Sequence, residues 1–483
     1  MTFLLSIDAG TSGVRAALFD ECGAFVPGAQ TRNHRAFTTV SDFVELNADQ
    51  IVAEVITTID ELLANFTGQI DLIAISAFWH SLLGMDADGL PTTPLLTWAD
   101  TRAARYANKL RENFDEHETH ARTGCRFHSS YWPAKLQWLE HEQHEKFLKT
   151  RCWLGFAEYL CLRLFGDVAT SVSMASATGM FNQRESDWDW EFARRLGISP
   201  DTLLEIKSQL NARLTGSFAS RWPALAQARL VTIVGDGAAN NIGAGCSTKD
   251  RIALMIGTSG AMRVAFVGEP PVELAPALWS YRIDQQRVVV GGALSDGGGL
   301  LQWMSESLNL DRDTLQSEVS ALEPDAHGLT VLPFWSGERS TGWSSDARGG
   351  ILGLRQDTTP VEIVRATLEA IAYRFALIAR ALDRIAPNAA IVASGNALRS
   401  SPAWLQIIAD VLGRPLLLGG SAEASIRGAA LLALEAVGKI GTIEEDSIAI
   451  EQVFEPDLTR HARYQQGLAR QEELYDRLRN RTQ

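Results

Sequence analysis

Positive charge is scarce in this chain of 483 residues: 44 Lys and Arg stand against 58 Asp and Glu, a net charge of −14. Nucleic acid and anionic membranes need a basic footprint, so neither reads as the main partner. An anionic small molecule stays open, because Arg15 and Arg102 can act locally inside a cleft. Cysteine is sparse too, with five residues scattered and never in a C-x-x-C pair. That offers no zinc framework and suits a reducing compartment, so a cytoplasmic location is expected. No apolar run reaches bilayer-spanning length, and MTFLLSIDAG reads as a first strand rather than a signal peptide. There is no G-x-x-x-x-G-K-[ST] loop, no H-E-x-x-H and no G-x-S-x-G elbow. Two H-x-x-H spacings, His117/His120 and His141/His144, lie in charged helical stretches and read as solvated faces, not metal sites.

What is present is a repeated element. LLSIDAGTSGVRAALFD (residues 4–20) and IALMIGTSGAMRVAFV (residues 252–267) each run a short apolar strand into Gly-Thr-Ser-Gly. Arg15 and Arg263 follow on the second strand of each. Glycines let the backbone turn sharply and aim its N–H groups at an anion, and the hydroxyls add donors. Either copy alone could be an ordinary β-turn. Occurrence in both halves points to architecture, and two such hairpins facing each other could hold a polyphosphate. Only the first copy places an acid before the glycine, Asp8, where a magnesium-bound phosphate would sit. Asp8 could equally be a turn-forming acid bonded to nearby backbone.

The length predicts two domains, with a boundary near residues 243–250 where GAGCSTKD separates apolar runs. Strands are expected at 3–8, 14–19, 72–78, 230–234, 252–256 and 263–266, and at IVAS and PLLL further on. Helices are expected at 48–63, 101–112, 134–148, after Gly299, and at 361–382, 402–412 and 424–437. The tail, 461–478, reads as an amphipathic surface helix. The class is therefore α/β, with a ligand cleft between duplicated halves. In IVGDGAANNIGAG, Asp236 ends a strand and begins an alanine-rich helix. It could be an N-cap, or a carboxylate on the cleft floor that accepts a proton from a substrate hydroxyl.

GGILGLRQDTTPVEIVRATLE (residues 349–369) resembles the carboxyl-terminal signature of the FGGY carbohydrate kinases. DAGTS, WADTR, GDGAA, GTSGA, SGERSTGW and ASGNALRSSPAWLQIIAD extend the resemblance along almost the whole chain. It implies two duplicated ribonuclease-H-like (actin/hexokinase-like) domains around a central cleft. Residues 1–245 would form the sugar-binding domain and residues 246–483 the nucleotide-binding domain. It implies ATP and Mg2+, with Asp8 and Asp236 at the metal and Asp236 as the base. Thr11, Ser12, Arg15, Gly257 and Thr258 would contact phosphates, and Gly298, Gln302, Gly395 and Asn396 the nucleoside. The family usually shows two glycines where this chain has Gly395-Asn396.

Sugar choice falls to His80, Trp98, Asp100 and Arg102, which combine a stacking surface with donors and acceptors. Trp98 could instead be core, and Asp100 with Thr101 a helix cap. The WADTR and PFWSGERSTGW wording is similar to gluconate kinases, and Arg102 is a candidate clamp for a substrate carboxylate. D-gluconate is the expected substrate. A ketopentose (xylulose or ribulose) is the first alternative, and a non-catalytic ATP- and sugar-binding sensor is the second. The family suggests a homodimer. Two departures bear on the sugar: Thr170-Ser-Val-Ser173 in place of an acid-bearing segment, and Trp132 before Lys135.

Overall fold

The first strand, β1 (Leu4–Gly10), is buried at every position but its last, as a central strand covered on both faces must be. The structure is a computed structural model and describes residues 2–34, 44–419, 423–446 and 449–479. β1 turns through Thr11 and Ser12 into antiparallel β2 (Gly13–Phe19), which sets Asp8 opposite Arg15 and Gly10 opposite Gly13. β3 (Phe25–His34) extends the meander, while β4 (Leu72–Ala77) and β5 (Arg229–Gly235) add in parallel on the other side of β1. The order is β3-β2-β1-β4-β5.

The second sheet repeats the first. β6 (Arg251–Ile256) and β7 (Gly260–Val267) form its glycine hairpin. β8 (Trp279–Arg282) and β9 (Arg287–Leu294) extend one side. β10 (Ala390–Ser394) and β11 (Leu416–Gly419) extend the other in parallel, and antiparallel β12 (Ile450–Phe454) forms the edge. Within the order β8-β9-β7-β6-β10-β11-β12, the inner five strands reproduce the first sheet in order and direction. The chain is a pair of ribonuclease-H-like α/β lobes around a cleft.

Local chemistry explains the helices. α1 (Ala48–Leu63) starts where the Asn47 side chain accepts from the N–H groups of Asp49 and Gln50. α2 (Asp236–Gly243) begins directly at the end of β5, and α3 (Gly298–Ser307) opens at the second hairpin. α4 (Pro360–Leu382) has proline in its first turn and a reciprocal cap. Thr359 N–H donates to Glu362 at 2.7 Å, and Glu362 N–H donates to the Thr359 hydroxyl at 3.3 Å. The TTPVE part of the 349–369 signature is thus a helix start. α5 (Ala424–Ala436) lies on the first sheet although it belongs to the second half: Ile426 and residues Ala429 to Leu434 join the first core, and the Ser6 hydroxyl donates to Ile426 O at 2.8 Å. α6 (Leu458–Arg479) packs Tyr464, Leu468 and Gln471 into the second lobe.

Three local expectations differ from the structure. The helix expected over 134–148 is two, Trp132–Glu142 and His144–Lys149, because Gln143 leaves helical geometry (φ −131°, ψ 40°) and its carbonyl starts the second. The helix expected from 101 starts at Ala104, since Asp100 accepts from Arg102 N–H and holds the preceding residues in a turn. His120 does not lie on a solvated face. It is buried against Leu278 O at 2.9 Å, and burial lowers its pKa to about 4.

Candidate active site

The two glycine hairpins reach the same crevice from opposite lobes. Between them lies an open chamber of about 480 Å³ lined by Ser12 and Arg15 on one side and by Gly257, Thr258, Gly298, Gln302, Gly395 and Asn396 on the other. Thr11 sits half-buried in the first turn. The loop before α3 hugs the second hairpin, with Gly298 N–H on Gly257 O at 2.8 Å and Gly299 N–H on Thr258 O at 3.0 Å. A Cβ on Gly298 would stand 2.6 Å from Gly257 O, so only glycine permits this approach. Gly395 has φ +98°, and a Cβ would meet Ile256 O at 2.3 Å. The demanding turn position is therefore the retained glycine. Asn396 begins a short helix, where a side chain is unconstrained by backbone handedness.

Asp8 lies behind Arg15, which lines this chamber; it is buried, accepting from the Ser76 hydroxyl at 2.7 Å and from Arg15. Asp236 is not an N-cap. Gly235 holds that position, and Asp236 is the first helical residue, accepting from Gly237 N–H at 2.7 Å. Burial, and then the charge of Asp8, push the Asp236 pKa up to about 6, while Arg263 pulls the other way. Asp8 and Asp236 offer hard carboxylate oxygens of the kind Mg2+ takes, with Asp8 already holding the Ser76 hydroxyl and Arg15. A metal-like trio among the described residues, Asp325, His327 and Glu369, is instead satisfied by protein. Leu329 N–H donates to His327 Nδ1, leaving Nε2–H for Glu369 at 3.1 Å, and Arg365 and Arg470 pair the two acids.

Asp236 also lines a second, tighter chamber of about 90 Å³, walled by Trp79, Tyr131, Trp279, Tyr281 and Trp343, with Met255 lining both spaces. His80 and Trp98 line it as well. The His80 ring must donate from Nδ1, since its partner at 2.7 Å is the carbonyl of Ala177. Burial lowers its pKa to about 3. His80 is thus neutral, and its Nε2 is an acceptor for a hydroxyl. The wall is rigid: Trp279 and Tyr281 stack at 4.2 Å, and the hydroxyls of Tyr131 and Tyr281 meet at 2.6 Å. A Cβ on Gly235 would overlap the Trp79 indole, whose Nε1 donates to Ser173 O at 3.0 Å. Ser173, in the segment lacking the usual acid, therefore supports the floor through its backbone.

Asp100 and Arg102 do not line this chamber. Arg102 Nε reaches both Asp100 oxygens (3.0 and 2.9 Å), Arg102 also pairs with Glu45 at 2.8 Å, and it lies 4.8 Å over the Trp138 ring. Asp100 is buried and holds Val44 N–H at 3.1 Å. The cations at the chamber are Arg263 and Arg339. Neither was singled out from sequence as a site residue, although Arg263 follows the second hairpin and Arg339 lies within SGERSTGW. Their motifs were visible, but the direction of either side chain was not.

Residues 3–243 match the N-terminal domain and residues 252–437 the C-terminal domain of the FGGY family of carbohydrate kinases. The chain belongs to that family. A gluconokinase of Bacillus subtilis is 30% identical over 470 residues, covering 94% of this chain and 91% of the relative. A xylulose kinase of Staphylococcus xylosus is 24% identical over 486 residues, covering 99% and 100%. The crystal structure of a gluconate kinase from Lactobacillus acidophilus superposes with a TM-score of 0.90 at 25% identity, covering 99% of this chain and 98% of that one. FGGY kinases use ATP, and a carbohydrate is their small-molecule substrate. Among the described residues no helix is long and apolar enough to cross a membrane.

Proposed function

We propose that this FGGY kinase transfers the γ-phosphoryl group of ATP to the terminal hydroxyl of a sugar acid, D-gluconate, giving 6-phosphogluconate. The observation that carries the reading is the place of Asp236. It lines the aromatic chamber, yet stands within electrostatic reach of Asp8, which is bonded to the Arg15 that lines the glycine-hairpin chamber. A hydroxyl held there meets a base on one side and a phosphoryl group on the other. A carboxylate with a pKa of about 6 is ionised at pH 7 and still basic enough to take a proton as the bond forms.

Ser12, Thr11 and Arg15 receive the phosphate tail from the first lobe, and Gly257 and Thr258 from the second. Gly298, Gln302, Gly395 and Asn396 take the nucleoside. Asp8 and Asp236 hold Mg2+, which when bound neutralises charge on the phosphate oxygens. His80 Nε2 accepts a sugar hydroxyl, and Trp98 gives a stacking face. Asp100 and Arg102 act behind that wall. Residues 1–245 carry the sugar side and residues 246–483 the nucleotide side, with α5 crossing between them. Closure of the lobes shields the transfer from water. The five unpaired cysteines fit a reducing, cytoplasmic setting.

Gluconate is supported by the Bacillus subtilis gluconokinase and by the two cations at the chamber. A ketopentose is the second reading, favoured by end-to-end similarity to the Staphylococcus xylosus xylulose kinase. A coupled ADP-release assay across gluconate, xylulose, ribulose and glycerol separates them. Saturable turnover with gluconate supports the reading, and turnover with a ketopentose alone replaces it.

A further inference from the structure

Six arginines among the described residues are at least nine-tenths buried: Arg263, Arg282, Arg287, Arg339, Arg365 and Arg374. Four have a carboxylate partner: Arg282 with Glu269, Arg287 with Asp284, Glu435 and Glu444, Arg365 with Glu369, and Arg374 with Glu338. The other two, Arg263 and Arg339, are the two that line the aromatic chamber. Each feels the charge of Asp236, but neither forms an ion pair among the described residues, and a desolvated guanidinium left without a bonded carboxylate favours an anion beside it.

The two differ in what surrounds them. Arg263 packs beside Asp236 and Gly237, at the point of transfer. Arg339 lies 4.4 Å over the Trp98 ring, with Tyr131 and Tyr281 near. One nitrogen, Nη2, donates to Leu294 O at 2.9 Å, and its buried Nε has no acceptor. Of the two acids that act on it at a distance, Asp236 and Asp296, the second is occupied by Ser336 N–H and hydroxyl at 3.0 and 2.9 Å. Leu294 O and the Trp98 face hold the guanidinium at the chamber wall with no carboxylate bonded to it, and a guanidinium so placed favours a carboxylate partner.

We infer that Arg339 is the specificity-determining residue of the sugar chamber, binding the substrate carboxylate and setting preference for a sugar acid over a neutral polyol. This rests on the kinase reading above and moves the clamp from Arg102, whose charge Asp100 and Glu45 already occupy. An aldonate carries its carboxylate and its primary hydroxyl at opposite ends. Arg263 packs beside Asp236, so with the hydroxyl at Asp236 the carboxylate at the far end is assigned to Arg339. A neutral polyol leaves the cation buried and unpaired, so the chamber disfavours it.

The test compares gluconate KM and kcat with the inhibition constant of sorbitol, which has a hydroxymethyl in place of the carboxylate. Arg339→Gln is expected to raise the gluconate KM about 100-fold and the sorbitol constant less than about fivefold. ATP affinity reports that the variant is folded. Arg339→Lys keeps the charge without the planar fork and is expected to lose about tenfold, and it decides the matter should the Gln variant not fold. A gluconate-to-sorbitol ratio that stays within about threefold of wild type in the folded variant overturns the inference. Arg102→Gln is expected to weaken both ligands together. Wild-type turnover of a different aldonate ends the gluconate reading but leaves Arg339 standing, tested with that aldonate. Wild-type turnover of neutral sugars alone ends both.

Discussion

Gly243 and Gly428 meet back to back where α2 and α5 cross, and neither has room for a methyl group. A Cβ on Gly243 would stand 1.8 Å from Ala424 O, and one on Gly428 1.8 Å from Ala239 O. The crossing ties the helix that begins with Asp236 to the helix that the second half lends to the first lobe. Gly428→Ala forces two backbones apart and is expected to cost about 2–3 kcal/mol or more. A lowered thermal midpoint together with a lowered kcat would match this. A fully stable, fully active Gly428→Ala protein would show that the crossing is looser than described.

Asp236 destabilises the folded chain at neutral pH. Its folded pKa, about 6, lies above the ordinary value of 3.8, so the folded state binds the extra proton between those limits. Stability therefore falls as pH rises from about 4 to about 6, and the penalty is complete above that. Asp236→Asn removes it, which is expected to be worth roughly 3 kcal/mol at pH 7.5 and nearly nothing at pH 4. Melting curves at both pH values check the sign. Stabilisation that is equal at both would contradict the assigned cause.

The same titration shapes the rate. The base must be ionised, so kcat/KM should fall about tenfold per pH unit below an inflection near 6. His80 contributes no inflection there, since its pKa is lowered to about 3 and it stays neutral throughout. A pH–rate profile flat down to pH 5 would remove Asp236 from the role of base.

Much of this was legible in the sequence. The bounds of α1 and of the Pro402–Leu412 helix are where periodicity, Asn47, Pro402 and Gly413 place them. Both hairpins, Asp8 and Asp236 were visible because glycine turns and acids at strand ends are local signals. The departures among the site residues are tertiary, while the helix breaks at Gln143 and Asp100 are local. Nothing near Arg102 in sequence says that Glu45 pairs it, and nothing near Arg339 says that Leu294 aims it at Trp98. His120 read as solvated because its neighbours are charged, while the segment that buries it lies 158 residues away. That α5 would complete the first core was likewise beyond any local pattern.

Arg15 spans the mouth of the phosphate chamber, bonded to Asp8 and, at 3.0 Å, to Glu423. Arg15→Gln removes a charge that the ATP phosphates need and leaves Asp8 without its partner. The KM for ATP should rise about tenfold or more, with the gluconate KM changed less than about threefold. Initial rates with each substrate varied in turn separate the two. Equal effects on both would place Arg15 in general folding rather than phosphate binding.

The most direct measurement is ADP release by wild type and Asp236→Asn with saturating ATP, Mg2+ and gluconate, alongside the ATP dissociation constant of each. The account predicts steady turnover by wild type, a loss of about 10³-fold or more in the variant, and unchanged ATP affinity. A variant that binds ATP normally and turns over within about tenfold of wild type would contradict it.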